Sequence, residues 1–478
     1  MVFSTIIFLL RFLPITLALY YLAPPKLKNT VLFLCSLVFY CWGEVRFFPV
    51  MLALILINYL CGLGLERFDR NRTARLVLLL IALAGSLGML FYFKYANFVL
   101  SSLNALFGTS FAAIPGISVL PLGISFYTFQ TLSYTIDVYR RDVKTEHNII
   151  DFGAYVVMFP QLIAGPIVKY RDVSDRLHVY KGRYNLKQIE EGMTLFTFGL
   201  AKKVLLADAV GALWTDIIGI ADSPSATFVG LANASTPLVW LGVIAYSLQL
   251  YFDFSGYSMM AIGMGKMLGF DFPQNFNYPY ISASITEFWR RWHISLSTWF
   301  RDYVYIPLGG NRVSRGKWVR NILVVWGLTG LWHGADWNFL LWGLYYGVLL
   351  LIEKLWLGKY LERLPKALRW LLCMVIVCIG WVMFNLTDFA QMRAALARMF
   401  SFTHVALSQS LAADVSIVPP LLWMLPALVF STPVCRRVHL GESYGAEIVR
   451  NVVCLALLAV CIVFSVSATF NPFIYFRF

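Results

Sequence analysis

Charge is what this chain has least of. Only 13% of its 478 residues are charged, about half the ~25% of a soluble globular chain, and that scarcity excludes an ordinary water-facing fold. Cysteine is present eight times without forming a framework. No C-x-x-C pair occurs, and Cys35, Cys41, Cys61, Cys373, Cys378, Cys454 and Cys461 all lie inside apolar runs. They read as small buried hydrophobes rather than as a disulfide, redox or zinc set. There is no Walker loop, no G-x-S-x-G and no H-E-x-x-H, which removes the commonest nucleotide, serine-hydrolase and zinc-protease signatures. No internal repeat relates the halves, and no loop is long enough to hold a soluble domain.

What fills the chain is apolar. Hydrophobic residues make up 59%, and the mean hydropathy is +0.69. Apolar runs recur near the ~20 residues that a spanning helix needs. They lie at Val2–Leu22, Val31–Trp42, Phe47–Leu65, Leu76–Phe93, Val119–Val138, Ile150–Val168, Gly192–Val210, Val239–Leu268, Asn321–His333, Phe339–Leu355, Leu368–Phe384, Pro419–Phe430 and Val452–Ser467. The pattern predicts an all-α polytopic membrane protein with about 11–13 membrane helices. The first run is read as a retained helix, because it has no charged leader region and no clear cleavage site. Several runs are broken by Gly or Pro, as at Phe159-Pro160 and Ala164-Gly165-Pro166. Broken helices at membrane depth need cover from protein or a water-filled cavity, so a central polar cavity with re-entrant segments is expected.

The net charge of +14 does not indicate nucleic acid. The basic residues sit in short clusters between apolar runs, as the positive-inside rule requires. Lys26/Lys28, Arg67–Arg75, Arg140–Lys187, Lys354–Arg369 and Arg436–Arg450 mark inner loops. The loops near Gly108–Ser118, Ala212–Pro237 and Ser401–Val418 hold no Lys or Arg and mark the outside, which places the N-terminus outside. The segment from Phe270 to Arg320 mixes aromatics with Arg, His, Glu and Asp. It is too charged to span and too aromatic for a free loop, and it reads as an interfacial or re-entrant pair of helices.

Three polar intrusions carry the chemical interest. His333 follows a dozen apolar residues and is flanked by Gly330 and Gly334. A neutral imidazole there avoids the ~2.5 kcal/mol or more that a charge costs at the bilayer centre and still accepts a proton. A core histidine bonded to a carbonyl is the alternative. His293 sits beside two arginines in Trp289-Arg290-Arg291-Trp292-His293, where composition alone favours a plain interfacial residue. Asp253 lies in a stretch with no basic neighbour in sequence and must be paired or protonated. Arg290, Arg291 or a histidine is its expected partner. The other four histidines, His147, His178, His404 and His439, read as loop residues. No metal motif is formed.

At these residues the sequence resembles the membrane-bound O-acyltransferase (MBOAT) family, in particular its bacterial branch of polysaccharide O-acetylating proteins. The carrying segments are YFDFSGYS (251–258), ITEFWRRWHISLSTWFRDYVYIPLGGNR (285–312) and GLWHGADWNFLLWG (330–343), supported by MVFST (1–5), FKYANF (93–98), LPLGISFYTFQTLSYTIDVYR (120–140), FPQLIAGPI (159–167) and NPFIYFRF (471–478). The resemblance implies one transmembrane domain, with N-terminal helices over 1–140, a catalytic core over 141–345 and C-terminal helices over 346–478, built around a tunnel. It implies catalytic His333 and His293, with Trp332, Trp292, Arg291, Asp253, Ser255, Tyr257 and Asn338 lining the substrate path. The family often carries Asp where this chain has Met259, so no carboxylate role is expected there. No permanent cofactor or metal is implied. The donor would be acetyl-CoA or an acyl-carrier thioester, the latter delivered by a cytosolic acyl carrier protein. The partners would be the bilayer and an extracytoplasmic, SGNH hydrolase-like acetyltransferase, and the location the bacterial cytoplasmic (inner) membrane. Alginate-like polysaccharide O-acetylation is the leading expectation. Peptidoglycan O-acetylation and D-alanyl transfer to teichoic acid are alternatives. A transporter or flippase, or a scaffold of an export complex, represents a different class.

Overall fold

In the computed structural model, residues 2–117, 119–163, 165–179, 185–218, 230–401, 418–434, 443–467 and 473 are described. Among them, the regular structure is helical and contains no strand. His404, His439, Cys435 and, of the loops read as external, residues 219–229 and 402–417 lie outside the described residues.

Among the described residues, six helices are long and apolar enough to cross a membrane: Phe48–Arg67, Arg72–Phe107, Thr236–Met267, Trp337–Leu361, Lys366–Asn385 and Gly445–Val466. Phe8–Leu22 and Pro420–Phe430 are shorter apolar helices. The number is below that expected from apolar runs for a physical reason. Some helices carry polar residues where they are covered by other helices rather than by lipid. Ile124–Arg140 is an example. It is buried along almost its whole length, yet Ser125, Thr128, Gln130, Thr131, Ser133 and Thr135 lie in it. At the other extreme, only 11% of the Gly445–Val466 window is buried, so that helix presents its aliphatic side chains outward.

The described residues pack into two compact units. The first comprises Met1–Phe196 and Tyr257–Gln274. In it Phe48–Arg67 packs against both Ile124–Arg140 and Arg72–Leu90. Two of the buried polar contacts here run between helices, where hydrocarbon offers no alternative partner. Asn58 Nδ2 donates to Ser86 Oγ at 2.9 Å, and Thr135 Oγ1 donates to Asn58 Oδ1 at 2.7 Å. The expected break near Pro160 is present: Ile149–Val157 ends, and a single turn, Phe159–Leu162, follows. His147 pairs with Glu66, and His178 pairs with buried Glu146 at 3.0 Å, so both serve loop structure.

The second unit comprises Thr197–Gly256 and Asn275–Phe478. Its centre is the hairpin of Arg315–His333 and Trp337–Ile352. Glycines let the two backbones meet. A Cβ on Gly330 would overlap the Phe339 carbonyl oxygen, and one on Gly343 would overlap that of Trp326. Small residues at such crossings replace the hydrophobic drive that lipid does not supply. Asp336 caps the second helix by accepting from the Trp337 amide at 2.6 Å. The segment expected to be a re-entrant pair forms two short helices, Ile285–Arg291 and Ile294–Phe300, followed by a π-turn over Arg301–Tyr305.

Candidate active site

His333 is the last residue of its helix. It is 4% exposed and sits among aromatic edges: Trp342 at 5.1 Å, Phe384 at 5.3 Å and Trp332 at 5.0 Å between ring centroids. His293 caps the helix Ile294–Phe300 with φ +44° and ψ +56°. A non-glycine residue in that region is strained, and such strain persists only where surrounding contacts impose it. Here Asn275 imposes it. Its Oδ1 meets His293 Nδ1 at 3.0 Å and accepts from the Ser295 hydroxyl at 2.9 Å and the Ser295 amide at 3.3 Å. Its own carbonyl accepts from the Ile294 amide at 3.0 Å.

That geometry determines the tautomer. An atom accepting from a backbone amide is the oxygen of the Asn side chain, so the facing His293 Nδ1 carries the hydrogen. Nε2 therefore bears the lone pair, and it is buried with no hydrogen-bond partner among the described residues. Burial pushes the His293 imidazole down from 6.5 to about 3, so it is neutral. Phe254 packs edge-on against the ring at 4.7 Å. The His293 and His333 ring centroids are 6.4 Å apart.

Both histidines line one cavity of about 310 Å³, near the lower end of the ~300–1,000 Å³ usual for small-molecule sites. Its wall also includes Thr286, Trp289, Ser297 and the cations Arg290, Arg301 and Lys354. The arrangement offers two imidazoles beside an apolar wall and a cationic margin that suits an anionic substrate.

The residues expected to line the path divide into several groups. Trp332 packs on His293 at 5.7 Å and Trp292 packs on Trp381 at 4.7 Å, but neither lines the histidine cavity, whose tryptophans are Trp289 and Trp326. Asn338 Nδ2 donates to the carbonyls of Met383 and Phe384, each at 3.3 Å, tying the hairpin to the helix Lys366–Asn385. Ser255 is buried in the second unit. Tyr257 belongs to the first unit, where its ring stacks on Phe3 at 4.3 Å. Arg291 is turned to Glu287 at 2.9 Å and to the Asn277 carbonyl at 3.1 Å, while its neighbour Arg290 lines the cavity.

Asp253 corrects an expectation. Its partner is neither Arg290, Arg291 nor a histidine but Lys203, at 2.8 Å, which also meets Asp208 at 2.7 Å. Lys203 lies in a π-helical turn, Lys202–Ala207. The extra residue in such a turn shifts side-chain directions. Gly256 permits the approach, since a Cβ there would meet the Gly199 carbonyl oxygen at 2.7 Å and the Lys203 nitrogen at 3.2 Å. Sequence distance hid this pair, because the two residues are far apart along the chain and meet only after helices pack. Asn275, Arg301 and Lys354 were likewise missed. Asn275 had no distinguishing signal among the other polar residues of its loop.

The family whose signature matches residues 91–392 is described as MBOAT, membrane-bound O-acyltransferase family. A probable alginate O-acetylase, AlgI, of Azotobacter vinelandii is 39% identical over 100% of both chains. A protein of the same description from Pseudomonas aeruginosa is 45% identical over 86% of this chain and 76% of its own length. The peptidoglycan O-acetyltransferase of Helicobacter pylori is 31% identical over 100% of this chain and 98% of its own.

Proposed function

The chain belongs to the membrane-bound O-acyltransferase family, and on that premise we propose that it transfers an acetyl group from a cytosolic thioester to a hydroxyl, for O-acetylation of an extracytoplasmic polysaccharide. It is a multi-pass membrane enzyme of the O-acyltransferase class. The alginate-like reading is supported by the higher identity to alginate O-acetylases than to the peptidoglycan enzyme.

The observation that carries the proposal is that His293 and His333 line one and the same cavity. In the proposed step, His333 takes the proton of the acceptor hydroxyl. The oxygen attacks the thioester carbonyl, an ester C–O bond forms, and the C–S bond breaks. The proton on His333 then passes to the leaving thiolate, which departs as a thiol, so the step needs no other reactant. His293 has a different task from donating to an oxyanion, because its Nε2 carries a lone pair. It accepts a hydrogen bond from an N–H on the donor and holds the thioester in line. Trp289 and Trp326 in the cavity wall keep water from the thioester, which would otherwise be hydrolysed.

Arg290, Arg301 and Lys354 at the cavity wall fit the phosphates of an acetyl-CoA or a phosphopantetheine arm on an acyl carrier protein. The hydrocarbon core is ~30 Å thick, so the reading includes a passage open to both sides, with His333 along it. The acceptor is a hydroxyl of an extracytoplasmic, SGNH hydrolase-like partner that completes polymer modification. The location is the bacterial inner membrane.

The test is substitution of His333 by Ala in cells that acetylate their polymer. Acetylation disappears while the amount of protein in the membrane is unchanged. Normal acetylation in that variant removes His333 from the mechanism. Transfer of label from radioactive acetyl-CoA by the purified protein separates this reading from a transporter or scaffold, which transfers none.

A further inference from the structure

The second unit holds a cavity of about 970 Å³, three times the size of the histidine cavity and distinct from it in lining. Its walls come from the Trp240–Leu248 stretch, from the helix Lys366–Asn385 between Lys366 and Cys378, and from Leu428, Ser431 and Thr432. Trp370, Leu371 and Leu428 line it and are also 43%, 51% and 46% exposed. The mouth is therefore made of exposed apolar side chains on membrane helices. It faces hydrocarbon rather than water, and water would find few of the two to four polar partners it needs.

The charge lies at one end. Lys366 opens its helix directly after Pro365, and Trp370 follows one turn later, with its indole N–H donating to the Tyr280 carbonyl at 2.8 Å. Trp at this depth marks the headgroup boundary. The connecting segment carries Lys359, Arg363, Lys366 and Arg369 against Glu362, and Lys359, Arg363 and Lys366 are exposed. The far end lies at Cys378, whose thiol meets the Ser247 hydroxyl at 3.7 Å. From Lys366 to Cys378 the helix rises roughly 18 Å at ~1.5 Å per residue, close to one leaflet, half of a ~30 Å hydrocarbon core.

We propose that this groove binds an anionic glycerophospholipid, with one acyl chain along Trp370, Met374 and Cys378 and its phosphate on Lys366. Length, lateral opening and the basic rim all fit that occupant. The inner end of the chain would lie one turn from Trp381, whose ring packs at 4.7 Å on Trp292, the residue before His293. The proposal requires a membrane protein but no particular reaction.

The experiment uses the full chain, reconstituted in vesicles of phosphatidylcholine with phosphatidylglycerol, re-extracted in mild detergent and weighed intact by native mass spectrometry. The expected result is one retained lipid per chain, enriched in phosphatidylglycerol. Lys366→Gln, an exposed change, lowers that enrichment about fivefold, the factor one basic residue contributes at an anionic surface. Leu371→Trp, which narrows the mouth, lowers retention of both lipids. Equal retention of the two lipids by the unaltered chain, or an enrichment indifferent to Lys366→Gln, overturns the proposal. So does lipid retention untouched by Leu371→Trp, which places the lipid elsewhere.

Discussion

The imidazole of His293 faces that of His333 at 6.4 Å between centroids, with the rings inclined by 61°. The two come from different elements, one from a strained helix cap and the other from a helix end. Their separation leaves room for a reacting group within hydrogen-bond reach of both, about 2.6–3.2 Å. Their chemistry differs because Asn275 fixes one tautomer and an aromatic cage surrounds the other ring.

Removal of the proposed base should slow acetyl transfer by about 10²–10⁴-fold in His333→Ala. Initial rates with purified protein and a labelled thioester measure it. His293→Gln keeps a hydrogen-bond acceptor in the cavity and should retain much more activity than His293→Ala, with the loss concentrated in KM for the donor. Equal and complete loss in both His293 variants would instead make His293 a base.

Asn275→Ala removes the atom that sets the His293 tautomer and holds its φ at +44°. A misplaced ring is expected to lower kcat on the order of 10²-fold while the protein still extracts as a single folded species. Wild-type kcat in that variant would show that Asn275 does not position the ring.

Acid should destabilise the protein through His293. Its folded-state value is lowered by burial from 6.5 to about 3. Between those values the unfolded chain binds a proton that the folded chain refuses. Its contribution to stability is therefore full below neither value: it is level above pH 6.5 and falls as pH drops from 6.5 toward 3. Thermal melts in detergent across that range should slope less steeply for His293→Gln. Parallel slopes would mean that the ring is not held neutral.

Lys203→Met leaves Asp253 and Asp208 without the cation that both contact. Loss of one partner of a buried pair costs about 3–5 kcal/mol, and Lys203→Met combined with Asp253→Asn should recover part of it. Denaturation midpoints of the two single variants and the double variant measure the coupling. Additive losses would deny the ion pair.

Gly330→Ala places a methyl group on the Phe339 carbonyl oxygen, a backbone atom that no rotamer change can move. The expected destabilisation is about 1–3 kcal/mol, with His333 displaced at the helix end, so activity and melting temperature fall together. Gly316→Ala, where a Cβ meets nothing within 4 Å, is the matched control and should leave both unchanged.

Much of this protein was legible before folding. A helical membrane class follows from scarce charge and long apolar runs, because hydrocarbon admits little else. The break at Pro160, the paired short helices after Ile285 and the burial of His333 at the end of an apolar helix each follow from a local feature: a missing N–H, mixed aromatic and charged composition, a polar group in an apolar run. The partner of Asp253 did not follow, nor did the choice of Arg290 over Arg291 as cavity wall. Those depend on a π-turn and on side-chain direction, neither of which leaves a periodic trace.

By itself, then, the sequence determined the solvent this chain lives in and which few polar groups had to be explained there, since each residue's transfer preference is its own property. Only the tertiary structure decided that Asn275 holds His293, that Lys203 neutralises Asp253, and that two distant histidines share one cavity. Those are relations between residues far apart in the chain, and a hydrogen bond or ion pair is fixed by distances that exist only once helices have packed.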